Sequence, residues 1–167
     1  VDTPCRVDHP ACHDHHVTTI RRATPADLDP AADLFAQYLA FYEVAAEPER
    51  ARDYLAARLE AGDSLVLLAA DAAGTDVGLA QVYPTFASLD LAVSWLLSDL
   101  FVAPAARGTG VGRALLREVL ARATAAGAAW VTLETAHTNT TAQGLYESEG
   151  FEQDLVYRVY ARSLTTP

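Results

Sequence analysis

The sequence has 167 residues, half of them hydrophobic and a fifth charged, which suits one compact domain with a sizeable core. A formal net charge of −10 argues against a nucleic-acid backbone as partner, because phosphate binding needs a basic surface; it favours cationic substrates such as amines. No apolar run is long enough to span a bilayer and the first residues carry no signal-peptide-like apolar stretch, so the expectation is a cytoplasmic protein with no membrane partner.

Residues 1–17 hold Cys5, His9, Cys12, His13, His15 and His16. Thiolates and imidazoles are zinc ligands, but this cysteine spacing matches no standard finger and no second ligand pair follows. The expectation is a flexible tail without metal, followed by a single domain over 18–167. A short strand is read at 18–22. Thr24, Pro25 and Asp27 then mark a helix start, with Thr as N-cap, Pro at the first helical position and an acid in the first turn. Leu28, Leu34, Phe35 and Leu39 supply the apolar face of that helix. Pro48 opens a second helix that runs to about Ala61, and Gly62 ends it. Strands at 64–70 and 77–83 flank a turn around Gly74, and 84–90 reads as a loop. A fourth strand covers 95–102, a helix 111–126, a fifth strand 130–135, a helix 140–148, and one or two strands 151–162. Hairpin and crossover connections together predict an α/β fold: a mixed, mostly antiparallel sheet with helices on both faces.

Between the fourth strand and its following helix stands Asp99-Leu-Phe-Val-Ala-Pro-Ala-Ala-Arg-Gly-Thr-Gly-Val-Gly-Arg113. Backbone N–H groups at a helix start lack intrahelical partners, and glycines let an anion approach them closely. The sequence contains no lysine, which excludes a P-loop, and glycines at 108, 110 and 112 have the wrong spacing for a dinucleotide fingerprint. What remains is either a tight turn or a diphosphate cradle of another kind. A second block follows the fifth strand: Asn139-Thr-Thr-Ala-Gln-Gly-Leu-Tyr146, then Gly150-Phe151.

Together the two blocks resemble the GCN5-related N-acetyltransferases (the GNAT family). There Gln/Arg-x-x-Gly-x-Gly/Ala follows a strand, and Asn-x-x-Ala-x-x-Leu-Tyr with Gly-Phe lies downstream. The resemblance implies an acyl-CoA N-acyltransferase fold, acetyl-CoA as co-substrate and a homodimer. It also implies direct acetyl transfer to a primary amine of a small molecule: a polyamine, amino acid or amino sugar. Backbone groups of Leu100, Phe101 and Val102 would bind the pantetheine arm and polarise the thioester. By the same resemblance Arg107, Gly108, Thr109, Gly110, Val111, Gly112 and Arg113 would hold the pyrophosphate, and Asn139 would contact the pantetheine. Tyr146 stands at the family's general-acid position, where its phenol would protonate the departing CoA thiolate; its alternative is a packed helix aromatic. Neither cysteine lies near the motifs, which fits direct attack.

The base stays open among Asp99, ranked first, Glu134 and His137, each equally readable as a structural strand-end group. For the acceptor, Tyr38, Phe41, Tyr42 and Glu43 cluster at the end of the first helix, with Tyr83 and Trp95 as further candidates. Aromatic faces beside an acid suit a cationic amine, although the same cluster reads as an ordinary helix face. Phe41-Tyr42 and Tyr83-Pro84 further resemble histone/polyamine acetyltransferases of the Hpa2 type. Two alternatives accompany the small-amine reading: acetylation of a protein lysine or N-terminus, and a non-catalytic acyl-CoA sensor.

Overall fold

The computed structural model describes residues 19–164, so the Cys- and His-bearing stretch 1–17 lies outside the described residues. The chain divides into two units, before and after the Thr132–Leu133 junction. The first carries β1 (Thr19–Arg22), α1 (Leu28–Phe41), α2 (Pro48–Ala61), β2 (Leu65–Ala70), β3 (Asp76–Ala87), β4 (Ala92–Val102) and α3 (Val111–Ala125). β5 (Val131–Leu133) spans the junction, and α4 (Thr140–Ser148) belongs to the second unit. The strands form one mixed five-stranded sheet in the order β1-β2-β3-β4-β5, with β1 to β4 antiparallel. The expected architecture is the observed one.

β2 reads Leu-Val-Leu-Leu-Ala-Ala and is buried at every position, the mark of a strand covered on both faces. On one face Val66, Leu68, Leu79 and Phe101 pack with Ala31, Leu34 and Phe35 of α1 and with Ala51 and Leu55 of α2. On the other face Ala69 and Gly78 lie under α3. A Cβ at Gly78 would stand 2.8 Å from Val111 Cγ1 and 3.0 Å from Leu115 Cδ1, so the missing side chain lets α3 settle on the sheet.

Local punctuation sets most element ends. α2 begins at Pro48 and stops at Gly62, which takes the left-handed φ of +62° as the cap. At the other helix start Thr24, Pro25 and Asp27 take the expected N-cap, first-position and first-turn places. Pro25–Asp27 forms a short 3₁₀ turn before α1, and the Asp27 carboxylate accepts from both the Thr24 N–H (2.9 Å) and the Thr24 hydroxyl (2.8 Å). These two bonds, followed by Arg21, hold the Asp27 carboxyl below the usual aspartate value. Arg21 pairs with Asp76 as well, tying β1 to β3.

Two expectations are corrected. The supposed loop 84–90 is mostly ribbon: β3 and β4 stay paired out to Ala87 and Ala92. Pro84 is tolerated because β2 ends opposite Val82 and the Trp95 N–H, across from Pro84, turns away to the Trp130 carbonyl (3.0 Å). Proline's missing donor therefore faces an open edge. The terminal strands expected within 151–162 do not form; no strand follows β5 among the described residues. The segment has strand-like composition, but strand propensity is realised only against a partner. Here Asp154 Oδ1 instead takes the N–H groups of Val156 (2.7 Å) and Tyr157 (2.9 Å), leaving Leu155, Val156, Tyr157, Val159 and Tyr160 exposed.

Candidate active site

The β3–β4 ladder breaks register once. Gln81 faces Asp99 and Val82 faces Leu97, so Ser98 is an extra residue in β4. Such a bulge re-aims the side chains on either side of it. Beyond it Asp99 and Phe101 share the face covered by α1. Before it Trp95, opposite Pro84, falls on the other face and is buried there. Trp95 is therefore placed apart from the tyrosines it was grouped with. The cause is the bulge, which strand alternation read from sequence does not count.

Asp99 is half-buried and accepts hydrogen bonds from the side chains of Tyr38 and Ser98. Burial pushes its carboxyl above the usual range, against the opposing pull of those two donors. Directly across the ladder, Gln81 is fully buried. Its Nε2 donates to Ser64 Oγ at 3.1 Å, while Oε1 has no protein partner among the described residues. Tyr83, two residues further along β3, shares a hydroxyl–hydroxyl hydrogen bond with Tyr54 of α2. Burial, the Tyr54 bond and the nearby Asp99 charge all raise the Tyr83 phenol above its ordinary value.

Aromatic contacts join these groups. Phe35 stacks on Tyr38 and Tyr54 at centroid distances of 5.9 and 5.7 Å, and Tyr38 meets Tyr42 at 5.1 Å and Phe101 at 6.3 Å. The structure thus brings Asp99, Tyr38, Tyr42 and Tyr83 together, and adds Tyr54 and Gln81, which sequence reasoning missed. A lone amide in an otherwise apolar strand was the available signal for Gln81. Tyr54, beside the buried Leu55 on a helix rich in charge, gave a weaker one.

α1 ends with the Glu43 N–H on the Ala40 carbonyl (3.1 Å) and the Val44 N–H on the Leu39 carbonyl (3.0 Å). This is the Schellman pattern, with Glu43 at φ +55° in the left-handed position that glycine usually fills. Its carboxylate also stands at the negative end of the helix dipole. A residue costly on both counts marks a candidate functional position.

After β4 the 3₁₀ turn Pro104–Ala106 leads into the glycine loop. Gly108 (φ +78°) and Gly110 (φ +92°) are left-handed, and nothing lies within 4 Å of where a Cβ would be. α3 starts at Val111 with no acid in its first turn. Open approach, unpaired helix-start N–H groups and a positive dipole end fit a diphosphate. The Val111 side chain is buried beneath this loop, so the backbone is what Val111 can offer an anion. Arg107 points elsewhere: its Nε donates to the Val102 carbonyl (3.1 Å) and its guanidinium lies over Phe41 and Phe101.

In the second unit, Asn139 Oδ1 caps α4 by accepting the Ala142 N–H (3.3 Å). Gln143 Nε2 donates to the carbonyls of Ala136 (2.9 Å) and His137 (3.1 Å). Half-buried Tyr146 lies 6.0 Å from the Phe151 ring, and the Phe151 N–H returns to the Tyr146 carbonyl (3.0 Å). The Asn–Tyr–Gly-Phe block is thus one helix with both of its ends specified. Glu134 lies past the end of β5, and both it and His137 are exposed. No group of three or more His, Cys, Asp or Glu that could hold a metal occurs among the described residues.

Residues 62–153, which contain both sequence blocks, match the family described as Acetyltransferase (GNAT) domain. The chain belongs to the GNAT acetyltransferase family. This GNAT enzyme is similar to the uncharacterized N-acetyltransferase YhfO of Bacillus subtilis (strain 168), with 42% identity over 135 residues, 81% of this chain and 90% of the relative. It is also similar to a “probable acetyltransferase” of Haemophilus influenzae, at 30% identity over 79% of this chain and 88% of the relative. A solved structure of a “probable acetyltransferase” superimposes with a TM-score of 0.84 at 35% identity, covering 89% of this chain and 99% of the other. GNAT enzymes normally use acetyl-CoA, and the loop at 107–112 fits that donor. These likenesses reach the family and its acetyltransferase activity; they do not carry the narrower Hpa2-type assignment.

Proposed function

We propose that this GNAT enzyme transfers an acetyl group directly from acetyl-CoA to the primary amine of a small cationic molecule, with Asp99 as general base. The observation that carries this reading is Asp99 itself, raised by burial, held by Tyr38 and set among tyrosines on the α1 face of the bulged strand. Acetyl-CoA, when bound, supplies an activated thioester carbonyl. An amine attacks only when neutral, so the protein must first accept its proton. A carboxyl above the ordinary aspartate range does this better than an exposed one. That separates Asp99 from the exposed Glu134.

Tyr38 and Tyr42 offer ring faces to a cation, and Glu43 adds charge at the rim. The loop's N–H groups serve the diphosphate, and the backbone at Leu100–Val102 follows the family's role in aligning the pantetheine. In the second unit, family likeness assigns Asn139 a pantetheine contact and Tyr146 the return of a proton to a leaving thiolate. A phenol near pKa ~10 and a thiol near ~8.5 make that exchange chemically reasonable.

The test is acetyl-CoA consumption across diamines, polyamines, amino acids, amino sugars and lysine peptides. Because the sequence contains no lysine, acetyl label cannot accumulate on lysines of the enzyme. Turnover with a small amine should exceed that with peptides, and Asp99→Asn should lower kcat by about 10²–10⁴-fold. The same substitution removes a buried charge, so its Tm should rise. Tyr146→Phe should lower kcat while CoA affinity stays within about twofold. Preference for peptides, or full activity in Asp99→Asn, overturns the reading.

A further inference from the structure

Arg107 opens the glycine loop, yet its side chain serves the opposite wall. The guanidinium carbon lies 5.2 Å from the Phe41 ring centroid and 5.8 Å from that of Phe101, while Nε is fixed on the Val102 carbonyl. Phe41 is the last residue of α1; Phe101 stands two residues past Asp99 on the same face of β4. The cation therefore sits between the end of α1 and the strand that carries the base.

α1 has no basic residue in its last turn, and Glu43 adds a negative charge at that end. Arg107 thus supplies from the loop the positive charge that the helix C-terminus lacks. From there the rings run without a gap. Phe41 meets Tyr42 at 5.1 Å, Tyr42 meets Tyr38 at 5.1 Å, and Tyr38 is bonded to Asp99.

We propose that Arg107 is a positioning residue of the acceptor site, pinning the end of α1 to β4 and so fixing Tyr38 and Tyr42 beside Asp99. The donor's diphosphate is held by the loop's backbone N–H groups and not by this guanidinium. The inference rests on reading this face as the acceptor site. A loop that binds one substrate then also braces the wall that binds the other. Lysine cannot replace the arginine, because a point charge neither lies flat on two rings nor keeps the Nε bond.

The experiment compares the wild type with Arg107→Ala and Arg107→Lys, measuring amine KM and kcat at saturating acetyl-CoA and the Kd of CoA by calorimetry. Both variants should raise the amine KM by roughly tenfold and leave the CoA Kd within about twofold. A weakened CoA Kd, with or without a change in amine KM, overturns the proposal, as does no change in either. Hydrogen exchange of the free protein gives a readout that needs no acceptor. Amides of residues 38–44 should exchange about tenfold faster in Arg107→Ala, with other helices unaffected. Unchanged protection there also overturns the proposal. If exchange quickens but no amine is acetylated, the small-amine reading fails while the bracing role stands.

Discussion

Asp99 shows how one side chain acquires its chemistry from its neighbours. An aspartate in water titrates near ~3.9 and is a feeble base toward an ammonium. Burial raises Asp99, and the Tyr38 and Ser98 donors restrain the rise. Hydrogen bonds to a carboxylate favour its charged form, so removing one moves the pKa up. In Tyr38→Phe, the acid limb of the kcat/KM profile should therefore shift to higher pH relative to wild type. An unmoved or lowered limb would separate Tyr38 from the base. The sequence named Asp99, ranked first for its place on the fourth strand, beside Glu134 and His137, but it could not show their burial. Their ranking depends on burial, which α1 creates by crossing β4 some sixty residues later in the chain.

Elements whose ends are written in local chemistry were read to the residue. Pro48 and Gly62 bound α2 because fixed φ at one end and left-handed φ at the other are properties of those residues alone. The stretch 151–162 failed for the complementary reason. Leu, Val and Tyr state what the segment would do beside a partner strand, and a sequence window holds no partner. The end of α1 lies between these cases. That the first helix ends around Tyr38–Glu43 was legible, but neither its stop at Phe41 nor Glu43 in the glycine position was. Glu43→Gly should relieve that conformation and the unfavourable dipole contact, stabilising the protein by ~1 kcal/mol and raising Tm by about 2–4 °C. Amine KM should rise together with Tm if Glu43 attracts a cationic acceptor; steady-state kinetics and a thermal melt check both. A lowered Tm would show that Glu43 makes contacts worth more than its strain.

At the scale of the whole molecule, the donor loop depends on a glycine that belongs to no motif. Gly78 lies in β3 and touches no proposed substrate, yet it sets how closely α3 approaches the sheet. Val111 is β-branched and stiff, so it cannot swing away from an added side chain. Gly78→Val should cost roughly 1–3 kcal/mol and displace the start of α3, weakening CoA binding as well as lowering Tm. Retained CoA affinity in a destabilised variant would mean that the loop keeps its shape without the helix seat. The glycines of 107–112 were visible because their spacing resembles a family block. Gly78 was not, because close approach is a relation between distant segments.

Ser98 has a consequence of another kind. One strand of the β3–β4 ribbon takes two steps where its partner takes one, so the ribbon changes phase at that point. Alternation counted through Ser98 would put Leu97 and Trp95 on the face of Asp99; because Ser98 is unpaired, they occupy the other one. Deleting Ser98 would remove the extra step and leave Gln81 opposite Asp99 and Val82 opposite Leu97, so Trp95, Leu97, Asp99 and Phe101 should all keep their faces while the local bend is lost. The bulge thus absorbs one residue without moving either half of β4 to another face. What the extra residue adds is a bend beside Asp99, the proposed base, and that bend is set by Ser98 alone.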